Sequence, residues 1–194
     1  NVSGGVMTHS GYSAYIGEEF SQDSIFEFDF MIPLTSTGEW AAFTIKSQNP
    51  GTMCISGGTE YYIGFNTDDV EVQKFVNGER TVFFGQVDGY TPTYGVLPNN
   101  FFTPNEFHSI RVGAINVTGG VRIFMYVDGN LVFDITDFSD IITNDGYFSV
   151  YGMTKSVSLR AFTDIQNTPD RTALDAAIAE ANSVKASDYT TESY

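Results

Sequence analysis

"GGVRIFMYVDGNLVFDITD", residues 119–137, decides the fold. Val121, Ile123, Met125 and Val127 alternate with Arg122, Phe124, Tyr126 and Asp128. A period of two sorts side chains onto separate faces only if the backbone is an extended strand. Asp128-Gly129 then supplies two residues that tolerate positive φ, as a two-residue primed turn demands, before a second β-rich arm. The stretch is therefore predicted to be a hairpin. One face of it packs on a partner sheet, and the other presents rings beside charges.

The same pattern extends in both directions. "SIFEFDFMI" (24–32) puts Phe26, Phe28, Phe30 and Ile32 on one face, with Glu27 and Asp29 on the other. "EYYIGFN" (60–66), "VEVQKFV" (70–76), "RTVFF" (80–84), "FHSIRVGAI" (107–115), "DGYFSVYG" (145–152) and "SVSLRAF" (156–162) are further strands, with Asn77-Gly78 as a second tight turn. From residue 20 to about 165 no helical period interrupts them, which predicts an antiparallel two-sheet sandwich. The text changes at "DIQNTPDRTALDAA" (164–177). Pro169 suits a first helical turn, and Leu174, Ala177, Ile178 and Ala181 recur at helical spacing. Residues 168–194 are thus expected to be a short helical appendage whose Ala-rich stripe needs partner helices.

Composition narrows the partners. With 42% hydrophobic and 15% aromatic residues in 194, a full core is within reach. Nine Lys+Arg against 24 Asp+Glu give a formal charge of -15, which repels phosphate backbones and anionic headgroups. Nucleic acid is excluded as a partner on that ground. Apolar runs fall short of the ~20 residues of a membrane helix, so no membrane insertion is expected. Cys54 is the single cysteine: an intrachain disulfide and a cysteine-based zinc site are impossible, and a buried thiol is expected. The chain opens with Asn1, as a processed or excised piece would.

Two resemblances add to this reading. "TALDAAIAEANSVKASDYTTESY" (172–194) resembles the opening of a FIVAR repeat, a helical module of large Gram-positive surface and secreted proteins. "FEFDFMI", "EYYIGFN", "FHSIRV", "RIFMYVDGNLVFDITD" and "GYFSVYG…SVSLRAFTDI", in that order, resemble the laminin-G/concanavalin-A-like jelly-roll superfamily, and within it the carbohydrate-binding modules of the fructan-binding type. The segment between Phe84 and Phe107 is longer than in that pattern, so the sugar does not transfer. The resemblances imply an all-β jelly-roll sandwich over 1–167 and a truncated FIVAR start over 168–194. They also imply a noncatalytic carbohydrate-binding module in a multidomain bacterial protein that is secreted or cell-wall associated; a monomer is expected. An adhesin module binding a host protein and a glycoside hydrolase domain are the alternatives.

Glycoside hydrolysis needs two carboxyl groups flanking the scissile bond. Glu27 and Asp29 share a strand face, resembling the E-x-D-x-x-E strand of laminarinase-like hydrolases, but Ile32 stands where the third carboxylate belongs. They read as outward strand residues. His108 is expected to be packed or hydrogen-bonded. Sugar recognition instead uses rings against CH faces, with Asp, Glu, Asn and Arg on the hydroxyls. The long segment 85–102 brings Asp88, Tyr90, Tyr94 and Asn99 to the rim, either as ligands or as packing over a sheet edge. Trp40 is a stacking platform or a buried anchor, Glu60 and Tyr61 start a strand beside a Gly-rich loop, and Arg111 offers a bidentate donor or a strand-face ion pair. No cofactor is required. A structural calcium is conceivable among Asp68, Asp69, Asp134, Asp137, Asp140 and Asp145, although aspartate is also a turn residue.

Overall fold

The structure, a computed structural model, describes residues 2–3, 5–11, 14–33, 39–65, 70–85, 89, 91, 103–152 and 156–165. The helical appendage expected over 168–194 lies outside the described residues, as does the proposed boundary at 167. Within them the chain forms β1 (Val2–Ser3), β2 (Val6–Ser10), β3 (Ala14–Tyr15), β4 (Ile25–Met31), β5 (Ala41–Ser47), β6 (Glu60–Phe65), β7 (Val70–Val76), β8 (Glu79–Phe84), β9 (His108–Val117), β10 (Gly120–Val127), β11 (Asn130–Asp137), β12 (Tyr147–Tyr151) and β13 (Ser156–Asp164). One sheet has the order β1-β2-β13-β4-β9-β10-β11 and the other β3-β12-β5-β6-β7-β8. Their pairings are antiparallel, and the two sheets make a jelly-roll sandwich.

The turn chemistry does what the sequence demands. Asp128 and Gly129 have φ of 50° and 78°, and Asn77 and Gly78 have φ of 53° and 86°, so both hairpins close on primed two-residue turns. The strands expected from residue 20 onward are present. The N-terminal segment before them also forms a strand, as β2 pairs with β13 in the register Met7↔Leu159 and His9↔Val157.

Between the sheets lies an aromatic layer. Phe26, Phe28, Phe30 and Ile32 are all buried, as the alternation required. From β4, Phe28 meets Phe43 of the opposite sheet edge-on at 5.4 Å and Phe148 at 5.2 Å, while Phe43 and Phe148 stack at 5.7 Å. Such pairs contribute about 0.5–1.5 kcal/mol each beyond their area burial.

One polar cluster interrupts this layer. Lys74 on β7 and Asp137 on β11 come from different sheets and meet at 2.8 Å, only 3% and 2% exposed. The Tyr61 hydroxyl donates to the same carboxylate oxygen at 2.9 Å, Lys74 also donates to the Ser139 carbonyl, and the Ser139 N–H donates to Asp137 Oδ1 at 3.1 Å. Burial and the neighbouring Asp137 push the Tyr61 phenol well above its ordinary range, so it stays a donor. Removing one member of a buried pair strands the other in a dry interior. Asp137→Ala is therefore expected to lower stability by about 3–5 kcal/mol in chemical denaturation, and Lys74→Met with Asp137→Leu to recover most of that loss. Equal destabilisation by the single and double variants would show that the pairing itself holds the sheets.

Candidate functional site

The pleat that buries one set of side chains turns the alternate set outward. On the seven-stranded sheet this outer set comprises Glu27 and Asp29 of β4, Ser109 and Arg111 of β9, and Arg122, Phe124 and Tyr126 of β10. Register then aligns them, since Glu27 pairs with Arg111 and Arg111 with Tyr126. These three form one row across three strands, and Leu131, 55% exposed, continues it on β11. A parallel row holds Arg160, Asp29 and Ser109.

Within this face Glu27, Ser109, Arg111, Tyr126 and Gly129 line a cavity of about 420 Å³ that opens to solvent. Arg111 Nε lies 3.7 Å from Glu27 Oε1, with the two side chains 50% and 48% exposed. That separation is a loose ion pair, so both groups keep hydrogen-bonding capacity. Their neighbours are held more tightly. Arg160 Nε donates to Asp29 at 2.9 Å with its guanidinium 3.9 Å from the Phe107 ring centroid, and Arg122 Nε donates to Asp134 at 2.8 Å while lying over Phe124. Ionic hydrogen bonding to Arg122 holds the Asp134 carboxyl below the usual range. Gly113 permits the arrangement of rings, because a Cβ there would fall 2.7 Å from the Phe124 ring.

The hairpin turn at the cavity edge is fixed from beneath. His108 Nδ1 donates to Asp128 Oδ2 at 2.6 Å, and the Ser109 N–H donates to Asp128 Oδ1 at 2.9 Å. His108 Nε2 lies 3.0 Å from both the N–H and the carbonyl oxygen of Thr103, so the ring is held at both of its nitrogens. Burial opposes charge on Asp128, but the bonds from His108 and Ser109 outweigh it and hold the carboxyl below its ordinary value. His108 is thus packed and hydrogen-bonded, as expected, and it positions Gly129.

The outer face of the six-stranded sheet is different, because it is buried. Thr44, Glu60, Tyr62, Glu71, Gln73, Phe75, Ser149 and Tyr151 all lie there with little exposure. Tyr62 stands edge-on to Tyr151 at 5.9 Å and to Phe75 at 6.0 Å, with Cys54 and Met53 packed against them. Tyr151 donates to Glu60 Oε1 at 2.9 Å. Among the described residues Glu60 Oε2, Thr44 Oγ1 and Ser149 Oγ are buried without a partner at hydrogen-bond geometry, although the Ser47 and Thr44 hydroxyls lie close enough to favour the Glu60 charge. Burial first, and then the Glu60 charge, push the Cys54 thiol up to about 11, so it is an inert buried thiol.

The expected site residues therefore divide. Arg111 lies in the open cavity, Glu60 lies on the outer face of the other sheet, and Tyr61 turns into the core. Trp40 is half-buried just before β5. Asp88, Tyr90, Tyr94 and Asn99 fall outside the described residues. Ser109, Tyr126 and Gly129 were not singled out from the sequence. Tyr126 was legible as a ring on the charged face of the hairpin, but its cross-strand partner was not. Among the described residues no group of three or more His, Cys, Asp or Glu is placed to hold a metal ion. Of the aspartates a structural calcium would draw on, Asp134 and Asp137 pair with Arg122 and Lys74, and Asp68 and Asp69 lie outside the described residues.

Comparison with solved structures agrees with the fold class that the two sheets define, a jelly-roll sandwich. The carbohydrate-binding module CBM66 from Bacillus subtilis superposes with a TM-score of 0.50 at 18% identity, over 82% of this chain and 92% of that one. Sheep galectin-11, in complex with glycerol, superposes with a TM-score of 0.51 at 9% identity, over 80% and 97%. No family model and no curated protein matches the sequence.

Burial pushes the Glu60 carboxyl above the usual carboxylate range, against the Ser47, Tyr151 and Thr44 hydroxyls. An acid with a raised folded pKa contributes stability that is complete below its unfolded pKa and is lost as pH rises through the folded value. Glu60→Gln does not titrate. Its melting temperature relative to the parent is therefore expected to rise as pH is raised above the ordinary glutamate range, about pH 4, and thermal melts that stay parallel as pH rises would refute a strained carboxyl.

Proposed function

We propose that the chain is a noncatalytic carbohydrate-binding module that holds a multidomain, exported bacterial protein at its glycan. The observation that carries this reading is the Glu27–Arg111–Tyr126 row opening into the 420 Å³ cavity. Small-molecule sites run from about 300 to 1,000 Å³, so the space suits one or two sugar units. A phenol ring beside exposed Leu131 gives an apolar platform for sugar CH groups. Arg111, Glu27 and Ser109 supply donors and acceptors for hydroxyls, and none of them is consumed by a tight internal bond. CBM66 is a carbohydrate-binding module, which agrees with this reading, but fold alone does not assign function. Export and the neighbouring helical module rest on the FIVAR resemblance of 172–194.

Of the two carboxylates of the hydrolase alternative, Asp29 is held by Arg160 at 2.9 Å, whereas Glu27 is only loosely paired with Arg111 at 3.7 Å. A second binding reading places the sugar on the outer face of the six-stranded sheet, and the unpartnered Glu60, Thr44 and Ser149 atoms favour it. A glycan array with fructan, plant and mucin-type ligands, followed by titration of the best ligand, separates the readings. Arg111→Ala and Tyr126→Ala are each expected to weaken binding about tenfold or more, as loss of a bond to a charged group or of a stacking ring does, while Glu60→Gln leaves it unchanged. The reverse pattern moves the site to the other sheet. Silence toward every glycan with capture of a protein ligand would replace the carbohydrate reading by the adhesin one.

A further inference from the structure

Lys46 is the penultimate residue of β5 and has φ of 55°, in the left-handed region that a lysine adopts only when its surroundings hold it there. The pairing of β5 with β12 slips at this point, between Thr44↔Ser149 and Ser47↔Tyr147. A bulge of this kind re-aims a side chain. The stem of Lys46 lines a cavity of only about 10 Å³ with Phe20, Phe26 and Ala114, and the residue is 6% exposed. Its Nζ reaches the other sheet and donates to Asn116 Oδ1 of β9 at 3.1 Å.

Asn116 is held on every side. Its backbone N–H donates to Asp23 Oδ1 at 2.7 Å, and its Nδ2 donates to Gln22 Oε1 at 2.9 Å and to the Thr143 carbonyl at 3.0 Å. Those bonds fix the carboxamide with its carbonyl turned to the lysine. Asp145 braces the same corner by accepting the Gln22 N–H at 2.8 Å, and its carbonyl accepts from Gln48 at 2.7 Å. Burial lowers Lys46 to about 8 against the opposing pull of Asp23 and Asp145, so a usable fraction of the amine is neutral in mildly alkaline water.

We propose that Lys46 and Asn116 join in an intramolecular isopeptide bond that ties the two sheets together. The neutral Nζ attacks Asn116 Cγ, the new C–N bond forms, and the Cγ–Nδ2 bond breaks. Nζ keeps one proton in the new amide and gives up the other to the departing Nδ2, and Asp23, whose Oδ1 accepts the Asn116 backbone N–H at 2.7 Å, is the carboxylate assigned to relay it. Ammonium plus carboxamide becomes a secondary amide plus an ammonium ion, so no oxidant, metal or cofactor enters the balance. Preorganisation is what makes such a slow aminolysis feasible, because the fold already holds the amine against the carboxamide. The link lies at one corner of the sandwich, away from the Arg111 cavity, and gives the module a covalent tie between layers that have no disulfide.

Intact-mass measurement of the folded chain after incubation in mildly alkaline buffer tests this. The expected mass is below the sequence mass by one ammonia, with a branched peptide containing Lys46 and Asn116 in the digest. Lys46→Arg and Asn116→Ala are each expected to restore the full mass, and Asp23→Asn to slow the loss. A folded parent chain that stays at its full sequence mass overturns the proposal. So does an ammonia loss that persists in Lys46→Arg, which would map to backbone chemistry at a site such as Asn77-Gly78.

Discussion

The contact between Phe28 and Phe43, with Phe148 against both, is the constraint from which the rest of the molecule follows. These rings come from both sheets, and they fit only if β4, β5 and β12 each present a fixed set of alternate residues inward. A slip of one residue in β4 would exchange Phe26, Phe28 and Phe30 for Glu27 and Asp29 in a dry interior. The aromatic layer therefore sets which residues face water. The outward Glu27, and through register Arg111 and Tyr126, are positioned by an apolar contact on the opposite side of the same strand.

The two outer faces that result are chemically unlike. On the seven-stranded sheet, three of the chain's five arginines, Arg111, Arg122 and Arg160, stand among carboxylates and rings. Two of them are clamped by short bonds and stacked on phenylalanine, and the third is loosely paired at the edge of an open cavity. That contrast singles out Arg111. On the six-stranded sheet the outer face is hydrogen-bonding but buried, with tyrosines packed edge-on around a carboxyl whose second oxygen has no partner at hydrogen-bond geometry among the described residues. Both faces employ one local device, a glycine beneath a ring: Gly113 under Phe124, and Gly64 under Tyr62, where a Cβ would fall 2.6 Å from the ring.

Polar groups inside the sandwich serve as fasteners between layers. Lys74, Asp137 and Tyr61 join the sheets through the core, and Lys46 with Asn116 joins them at a corner. Buried ion pairs add little net stability, since desolvation offsets their attraction. They do penalise misaligned packing heavily, because any shift of one sheet against the other leaves a charge without its partner. Fasteners of this sort complement a layer of phenylalanine rings, which would otherwise tolerate sliding.

Much of this was legible in the chain itself. Period two fixed the strands and their inward faces, as Phe26, Phe28, Phe30 and Ile32 show, and Asp128-Gly129 and Asn77-Gly78 fixed two hairpins, because positive φ is a local property of the backbone. Alternation also separates Glu60 from Tyr61, which sit next to each other in sequence and on opposite faces in space. What the sequence left open was everything that depends on register between strands distant in the chain. Glu27 meets Arg111 and Arg111 meets Tyr126 only once β4, β9 and β10 are aligned, and Lys74 finds Asp137 only across two sheets. Those meetings are set by how the aromatic layer closes, a property of all the packed strands together, and no single stretch of sequence contains it.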